Sequence, residues 1–521
     1  MSTSQLTLGL PLQGGDLQII SAASLRLNLP ELPKNFFRHG WQSWTLTTWL
    51  DPKAGPLPIR DAEFRVKDED PGYADHKNHI SGWVGAVELG EDDIVLLGAI
   101  DLSGRVELDG TTLHGFYEDN HESQWLIARG REVFVFSKYV ELLEQKFGKG
   151  RFPKAPFVWC SWYSLYGWVN ERIFLKALDD FGDMPFDVFQ VDDGWQLAHG
   201  DWEANHKFSS GMKYVADKIS TTGRIPGIWL APFMVSADSQ LAKIHPDWLL
   251  RDEKEDPVSA GITWSGNPLG LDVSHPEVLE WLAELIHKVR AWGYEYLKLD
   301  FLYIGGLIGK RYRDIPREVA YRNALQVIRA AAGDAYILAC GAPMIPSLGL
   351  CDEIRVGPDV SPFWINKPLT VWLNNPNDTS TQNAIRTSIH RLWLNPVVNV
   401  DPDVIFFRSK HNGLKAHQNQ LLQDLGIISG SKATSDLPQW MSESDWRTLR
   451  EYLETAPRIQ QKGRYEYQIN GRDVDFSPSV PIQTSNNKIP IWLAKNLGLL
   501  KIIWHQALPA IWESIYAPRC S

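Results

Sequence analysis

The chain has 521 residues, of which 44% are hydrophobic and 22% are charged, a balance typical of a folded globular protein with two or three domains. Its 52 basic and 63 acidic residues give a formal net charge of −11, which argues against nucleic acid or an anionic membrane as a partner, because positive charge holds both. The four cysteines, Cys160, Cys340, Cys351 and Cys520, are too few for a disulfide framework and lack metal-ligand spacing.

The N-terminal sequence MSTSQLTLGLPLQGGDLQII has no basic segment before an apolar core, so we expect no signal peptide. No run in the chain approaches the roughly 20 apolar residues that a membrane helix needs. We therefore expect a cytoplasmic protein with reduced cysteines. No P-loop, HExxH motif or strand-linked GxGxxG is present, so neither a metal nor a cofactor is expected.

Residues 1–145 are predicted to form an all-β domain, most simply a sandwich. Short alternating or apolar runs are separated by turn residues, which is the pattern of consecutive strands. Asp109-Gly110 is a hairpin signal between two of the runs. The clearest examples are RLNLPELP at 26–33, VELDGTTL at 106–113 and EVFVFSKYV at 132–140.

Residues 150–455 alternate between short apolar strands and amphipathic helices. One helix is predicted over 275–292, opened by a capping box of Ser274 and Glu277, and another over 316–332. Eight strands, each followed by a helix or a long loop, predict a (β/α)8 barrel, whereas the alternative, an open doubly wound sheet, usually has fewer strands. The strands are predicted at 157–162, 188–193, 225–233, 296–301, 336–341, 353–357, 396–400 and 425–429.

Residues 456–521 are predicted to form a small C-terminal β domain. The segment YEYQINGRDVDF reads as two strands around the turn Asn470-Gly471. From Leu497 onward, the sequence LGLLKIIWHQALPAIW lacks the alternation that a closing strand should show. The fold class is therefore multidomain, with a central barrel between two β domains.

Polar residues follow several of the predicted barrel strands, where active sites of such barrels lie. Lys298 stands two residues before Asp300 and shares its face of the strand, so the cation is expected to favour the ionised carboxylate, as suits a nucleophile or a ligand. Asp359 follows Pro358 on a loop near Phe363, in apolar surroundings that suit a proton donor. The polar strand-end residues are Asp192, Asp193, Asp300, Cys340, Arg355 and Asp359.

Structural explanations exist for each of these residues alone. Lys298 and Asp300 could form an ion pair that fills the barrel, Asp359 lies in an ordinary Gly-Pro-Asp turn, and Cys340 fits a small core position. Four acids on three strand ends are harder to explain structurally, because their mutual repulsion needs a reason. Paired carboxylates in a cleft of a chain with 23 tryptophans suit glycoside hydrolysis, but these residues alone do not name a sugar.

Seven motifs stand in chain order: GWQSW (40–44), WCSWYSLYGW (159–168), QVDDGWQ (190–196) with GDW (200–202), GIWLAPF (227–233), YLKLDF (296–301), CGAP (340–343) and RVGPDVSPFW (355–364). Together they resemble glycoside hydrolase family 36, whose members are chiefly retaining α-galactosidases. The resemblance implies Asp300 as nucleophile and Asp359 as general acid/base. It implies α-galactoside oligosaccharides such as melibiose or raffinose as substrates, and a sugar subsite lined by Trp44, Trp162, Asp192, Asp193, Trp229, Lys298, Cys340 and Arg355.

The short chain and its G-P-D-V-S segment resemble the compact branch of that family, so no oligomeric state is carried over from the larger members. The VDPD segment at 400–403 is expected to form a loop rather than to take part in catalysis. Two other functions stay open at this point. The same covalent intermediate would serve transfer of galactose to another sugar, and a barrel of this kind could bind sugar without catalysis.

Overall fold

The computed structural model describes residues 5–10, 13–56, 66–73, 76–264, 266–483 and 489–516. No helix within these ranges combines the length and the apolar character needed to cross a bilayer. Cys160, Cys340 and Cys351 are buried free thiols, and Cys520 lies outside the described residues.

The N-terminal strands form two sheets that share one core, as predicted for a sandwich. Their orders are β1-β3-β10-β9-β6 and β2-β11-β8-β7-β4-β5. The sheets approach closely where Gly115 faces Trp125, because a Cβ at Gly115 would lie 2.8 Å from the indole ring. The strands are β1 Gln5–Gly9, β2 Leu17–Ala22, β3 Ser24–Asn28, β4 Asn35–Arg38, β5 Thr48–Leu50, β6 His79–Gly82, β7 Val84–Gly90, β8 Asp93–Ala99, β9 Gly104–Asp109, β10 Thr112–Tyr117 and β11 Ser123–Gly130.

The predicted hairpin at Asp109-Gly110 is confirmed, but the strand predicted at 132–140 is wrong. That segment begins helix α1, Glu132–Phe147. Its β-branched and aromatic residues favour a strand locally, yet the apolar positions continue at helical spacing beyond residue 140 and bury one face, so tertiary packing overrides propensity. The buried residues of this face are Val135, Phe136, Tyr139, Val140 and Leu143.

The central sheet has eight parallel strands in the order β22-β21-β20-β19-β16-β13-β12-β23. The last strand pairs with the first, so the sheet curls into a TIM-like core. Across the seam between β22 and β23, the Ile405 N–H donates to the Ala433 carbonyl at 2.8 Å. The strands from this part of the chain are β12 Phe157–Cys160, β13 Val188–Val191, β14 Gln196–Ala198, β15 Asp201–Ala204, β16 Ile225–Leu230, β17 Met234–Val235, β18 Leu269–Gly270, β19 Tyr296–Leu299, β20 Tyr336–Ala339, β21 Glu353–Arg355, β22 Asn399–Asp401 and β23 Lys432–Thr434.

Helices follow most of these strands, and the two helices predicted in detail are confirmed as α6 and α7. The predicted capping box is wrong: His275 Nδ1 accepts from the Glu277 N–H at 3.3 Å, while Ser274 Oγ donates to Asp272 at 2.8 Å. The helices are α2 Trp162–Leu165, α3 Glu171–Asp180, α4 Met212–Thr221, α5 Gln240–Ile244, α6 Pro276–Ala291, α7 Arg317–Ala332, α8 Thr381–Ile389, α9 Ala416–Ser429 and α10 Glu443–Glu454.

The eighth strand is the clearest error in the predicted core. The run LGIIS at 425–429 is the end of α9, and the strand is the next segment, Lys432–Thr434. A short apolar run cannot by itself distinguish a buried helix end from a strand. The true strand, Lys432–Thr434, contains no apolar run that would have predicted it. Its first residue, Lys432, places its ammonium about 5.0 Å from the centre of the Phe157 ring.

The C-terminal part begins with the predicted β-hairpin and ends in helices. Strands β24 Ile459–Gln461, β25 Glu466–Ile469 and β26 Arg472–Asp475 form an antiparallel sheet with a turn at Asn470-Gly471. Helices α11 Ile491–Ile502 and α12 Leu508–Tyr516 follow, joined by a π-helical turn at Ile503–Ala507. The β domain predicted for 456–521 is therefore wrong for residues 491–516, where consecutive apolar residues lack the period of two that a strand requires.

The N-terminal sheets are held against the C-terminal ends of the core strands. Arg391 donates to the carbonyls of Gly40 and Gln42, both at 3.0 Å. Ser43 exchanges two hydrogen bonds with Ala342, which follows β20. A buried ion pair, Arg105–Glu318 at 2.7 Å, further joins β9 to α7. These contacts fix the GWQSW segment beside the core strands.

Candidate active site

Asp192 and Asp193 directly follow β13, and Lys298 of β19 pairs with the first of them. Lys298 Nζ donates to Asp192 Oδ2 at 2.9 Å, and Gln190 Nε2 donates to the same oxygen at 2.7 Å. Burial lowers the pKa of Lys298, but the Asp192 carboxylate more than offsets this and holds that pKa well above its usual range. Lys298 therefore pairs directly with Asp192 rather than with Asp300, although its charge still lowers the pKa of Asp300 in the predicted direction.

Asp300, one residue beyond β19, is a buried carboxylate with two fixed donors. Trp229 Nε1 donates to its Oδ2 at 3.0 Å, and the Phe301 N–H donates to its Oδ1 at 2.8 Å. Phe301 has φ 53°, a left-handed conformation that is uncommon for an aromatic residue.

Burial raises the pKa of Asp300 to about 6, even though Lys298 and the Trp229 hydrogen bond act in the opposite direction. The charge of Asp359 further raises the pKa of Asp300, so the two carboxyl groups interact electrostatically. The expectation of a readily ionised, low-pKa carboxylate is wrong, because desolvation outweighs the nearby cation. The result is a carboxylate held in a fixed orientation with little solvation, which is a suitable condition for nucleophilic attack.

This pKa predicts the acid limb of the pH profile. If Asp300 must be ionised to attack, kcat/KM should fall about tenfold per pH unit below pH 6 and be level above it, until a second group titrates. The measurement is kcat/KM between pH 4 and pH 8 for a nitrophenyl glycoside of the sugar that the family resemblance implies, because this parameter reports groups of the free enzyme. An acid limb centred near pH 4 would contradict the buried environment of Asp300.

Asp359 lies in a different environment from Asp300. Its side chain is 30% exposed, and Arg355 Nη1 donates to its Oδ1 at 3.2 Å. The sequence predicted apolar surroundings for this carboxyl group. In the structure, its neighbour is instead the guanidinium group of Arg355. A carboxyl group that reaches solvent and is held by a cation can exchange protons with water while Asp300 stays enclosed.

Arg355 is itself held by the VDPD segment, which the sequence analysis assigned only a loop role. Arg355 Nε donates to Asp401 at 2.7 Å, and Nη2 contacts Asp403 at 2.8 Å. Burial raises the pKa of Asp403 to about 7, despite the opposing charge of Arg355, and Tyr163 donates its hydroxyl to the same carboxylate. Asp401 and Asp403 are positioning residues that the sequence analysis missed, although their spacing in VDPD was a visible signal.

Asp193 is oriented by a residue that the sequence analysis did not single out. Trp264 Nε1 donates to Asp193 Oδ2 at 2.7 Å, and Gln196 Nε2 donates to Oδ1. Burial raises the pKa of Asp193, but hydrogen bonds from His199, Gln196 and Trp264 more than offset this and leave it below its ordinary value. Asp193 is thus an ionised acceptor inside the site.

Four tryptophans lie around these acids. Trp264 is 56% exposed at a turn between Thr263 and Gly266, and its ring lies 4.7 Å from the Trp162 ring. Trp44 reaches the site from the N-terminal part, with its ring 5.2 Å from the Phe301 ring. The indole N–H of Trp44 has no hydrogen-bond acceptor among the described residues. Trp229 donates to Asp300, so the acids have aromatic neighbours from the ends of two core strands, from the turn that carries Trp264 and from the N-terminal part.

Cys340 follows β20 and is buried, and burial raises the pKa of its thiol well above the usual range. Arg355, Asp300 and Lys298 all act on its pKa electrostatically, so the thiol lies near these groups. The structure brings all ten residues predicted for the site to the same end of the curled sheet. They are Trp44, Trp162, Asp192, Asp193, Trp229, Lys298, Asp300, Cys340, Arg355 and Asp359.

Comparison with known proteins connects this site to one family. Residues 133–331 match the family model described as melibiase. A solved structure of an α-galactosidase from Thermus thermophilus, in complex with p-nitrophenyl α-D-galactopyranoside, is 40% identical, with 90% of this chain and 97% of that chain covered and a TM-score of 0.84. The same enzyme in complex with stachyose is 41% identical, covers 85% of this chain and 96% of that one, and has a TM-score of 0.80.

The curated relatives are longer proteins. The α-galactosidase AgaA of Geobacillus stearothermophilus is 29% identical over 316 residues, which are 54% of this chain and 41% of that protein. This chain therefore spans less than half the length of that relative.

Proposed function

Because this chain belongs to the melibiase family, glycoside hydrolase family 36, we propose that it is a retaining α-galactosidase that removes terminal α-galactosyl residues from oligosaccharides. The observation that carries the proposal is the pair of unlike carboxylates, with Asp300 enclosed and held by two donors and Asp359 partly exposed beside Arg355. A double displacement needs these two environments, since one group must attack carbon and the other must exchange a proton.

In the proposed reaction, the curled sheet serves as a (β/α)8 barrel with its active site at the C-terminal strand ends. The Asp300 carboxylate attacks the anomeric carbon and forms an ester bond as the bond from that carbon to the leaving oxygen breaks. Asp359 gives its proton to that oxygen. Asp359 then takes a proton from water, the water oxygen bonds to the anomeric carbon, and the Asp300 ester bond breaks.

Sugar hydroxyls would be held by the side-chain oxygens of Asp192 and Asp193 and by the Lys298 ammonium. These three groups are buried, and a buried polar group left without its partner is costly, so they can discriminate strongly between sugars. The Trp44 indole N–H is a further donor available to a hydroxyl. Transfer of galactose to another sugar would use the same groups and differ only in the acceptor.

The test of this proposal is the release of nitrophenol from three substrates: the nitrophenyl α-galactoside, α-glucoside and α-N-acetylgalactosaminide. We expect hydrolysis of the galactoside and little of the glucoside. We also expect Asp193→Ala to lower kcat/KM for the galactoside by roughly 10³-fold or more, because the sugar hydroxyl that donates a hydrogen bond to Asp193 loses its acceptor. Asp217→Ala is the control, since Asp217 is an exposed helix residue paired with Lys213.

Two outcomes would contradict the proposal in different ways. Comparable hydrolysis of the glucoside and the galactoside would show that the acids of the site do not select the sugar as argued. Release from none of the three substrates would favour a non-catalytic sugar-binding protein.

A further inference from the structure

The C-terminal helices carry an apolar surface that the proposed function does not use. We call it the tail surface and define it by the exposed large hydrophobic residues of α11, α12 and the turn between them. It holds ten of the 25 such residues in the described chain, although these elements comprise only 26 residues. An exposed apolar patch of this density marks an interaction site. Its residues are Ile491, Trp492, Leu497, Leu499, Leu500, Ile503, Trp504, Leu508, Trp512 and Ile515.

The opposite side of these helices is anchored to the rest of the protein. Gly498 packs so closely on Leu369 that a Cβ would lie 2.4 Å from that side chain. Lys501 Nζ donates to the Ile365 carbonyl at 2.7 Å, and Trp440 Nε1 donates to Glu513 at 2.6 Å. The helices are therefore anchored by packing and hydrogen bonds on an inner side, which the protein covers, and they expose large apolar side chains elsewhere to solvent.

The few charges on the C-terminal helices argue against an anionic membrane as the partner of the tail surface. The segment 491–516 contains only Lys495, Lys501 and Glu513 as fully charged residues, and Lys501 and Glu513 bond inward. Two copies of this nearly uncharged segment can meet without local charge repulsion, whereas the segment has no cluster of basic residues to hold an anionic membrane.

The size of the surface suits a second copy of the chain. Three tryptophans and seven leucine or isoleucine residues, each 39–70% exposed, present roughly 1,000 Å² of apolar area, compared with about 800 Å² per partner in a stable interface. Tryptophans are also enriched among the residues that dominate interface energy. We propose that the tail surface binds the same surface of a second copy and forms a two-fold symmetric dimer.

The helices that carry the tail surface also hold the loop that carries Asp359. Gln506 Nε2 donates to Ser361 Oγ at 2.9 Å, and Asn366 Nδ2 donates to the Gly498 carbonyl at 3.3 Å. The helices that form the interface thus hold the segment that follows Asp359. The inference itself does not depend on catalysis, because it rests on apolar exposure, anchoring and charge.

Sedimentation velocity over about a hundredfold range of concentration tests the proposal. Wild type should sediment as a species of twice the chain mass of 59.1 kDa and dissociate only on dilution. The double variant Leu500→Glu/Trp504→Glu should weaken the dimer at least about 30-fold, the effect expected for interface residues worth 2 kcal/mol or more. Ile244→Glu is the matched control, because Ile244 is 65% exposed on α5, outside the tail surface, and should leave the dimer intact.

A measurement on wild type alone makes the test independent of whether the variants fold. Hydrogen–deuterium exchange in 491–516 should slow as concentration rises through the dimer dissociation constant. A wild-type monomer throughout the range, or exchange that does not change with concentration, would overturn the proposal. Sedimentation of monomeric wild type with phosphatidylcholine vesicles would overturn it and assign the surface to lipid instead.

Discussion

Replacement of Asp300 by glycine is expected to lower kcat on a nitrophenyl α-galactoside by roughly 10⁴-fold or more, because the covalent route is lost. The fold should survive, since Asp300 accepts two hydrogen bonds from the described residues, from Trp229 and Phe301, and its removal also eliminates a desolvated charge. The measurements are steady-state kinetics and the thermal unfolding midpoint at pH 7.

Asp300→Asn is the matched control because it keeps the shape of the side chain and removes its charge. It should be as inactive as Asp300→Gly. Its NH2 group faces one of the two N–H donors, Trp229 or Phe301, and this contact opposes the stability gained by removing the desolvated charge. Turnover within tenfold of wild type in either correctly folded variant would refute the assignment of Asp300 as nucleophile.

Replacement of Asp359 by alanine is expected to separate substrates by leaving group. A sugar alkoxide needs a proton as it departs and a nitrophenolate hardly does, so activity on melibiose or raffinose should fall roughly 10³-fold or more. On the nitrophenyl α-galactoside, the first step should stay fast and the second should become slow, because no base activates water. The expected trace is a burst of nitrophenol followed by slow turnover with a lowered KM, and added azide should accelerate the slow phase.

Asp359→Asn is the matched control because it keeps the side chain in place. Its amide oxygen can still accept a hydrogen bond from Arg355, but the amide cannot donate or take up the catalytic proton. It should behave like the alanine variant. Equal proportional losses on both classes of substrate, with no burst and no response to azide, would assign Asp359 a turn-forming role and leave the proton donor unidentified.

The parts of the fold predicted correctly are those with local signals. Seven of the eight core strands lie in or overlap apolar runs followed by polar residues, as in YLKLDF, where the strand ends at Leu299, just before Asp300. The strand at 132–140 and the strand at 425–429 were wrong because a β-prone or apolar run is also suitable for a buried helix, and packing decides between them.

The contacts within the site could not be predicted from local sequence, because they join residues that lie far apart in the chain. Lys298 and Asp192 are 106 residues apart, on β19 and after β13, so only the folded sheet shows that they pair. Trp264 had a weak signal, an aromatic residue at an exposed turn, but its bond to Asp193 crosses 71 residues. The pKa of Asp300 likewise depends on how completely the surrounding chain removes water.

The most direct test of the central claim, that Asp300 attacks the anomeric carbon of an α-galactoside, is the product formed by Asp300→Gly in the presence of azide. Azide should enter the space left by the carboxylate, restore part of the activity and attack the face that Asp300 attacks in wild type. Proton NMR of the product should then show β-galactosyl azide, with the configuration opposite to that of the substrate. Formation of the α-azide, no glycosyl azide at all, or equal rescue of Asp300→Asn, which leaves no such space, would contradict the claim.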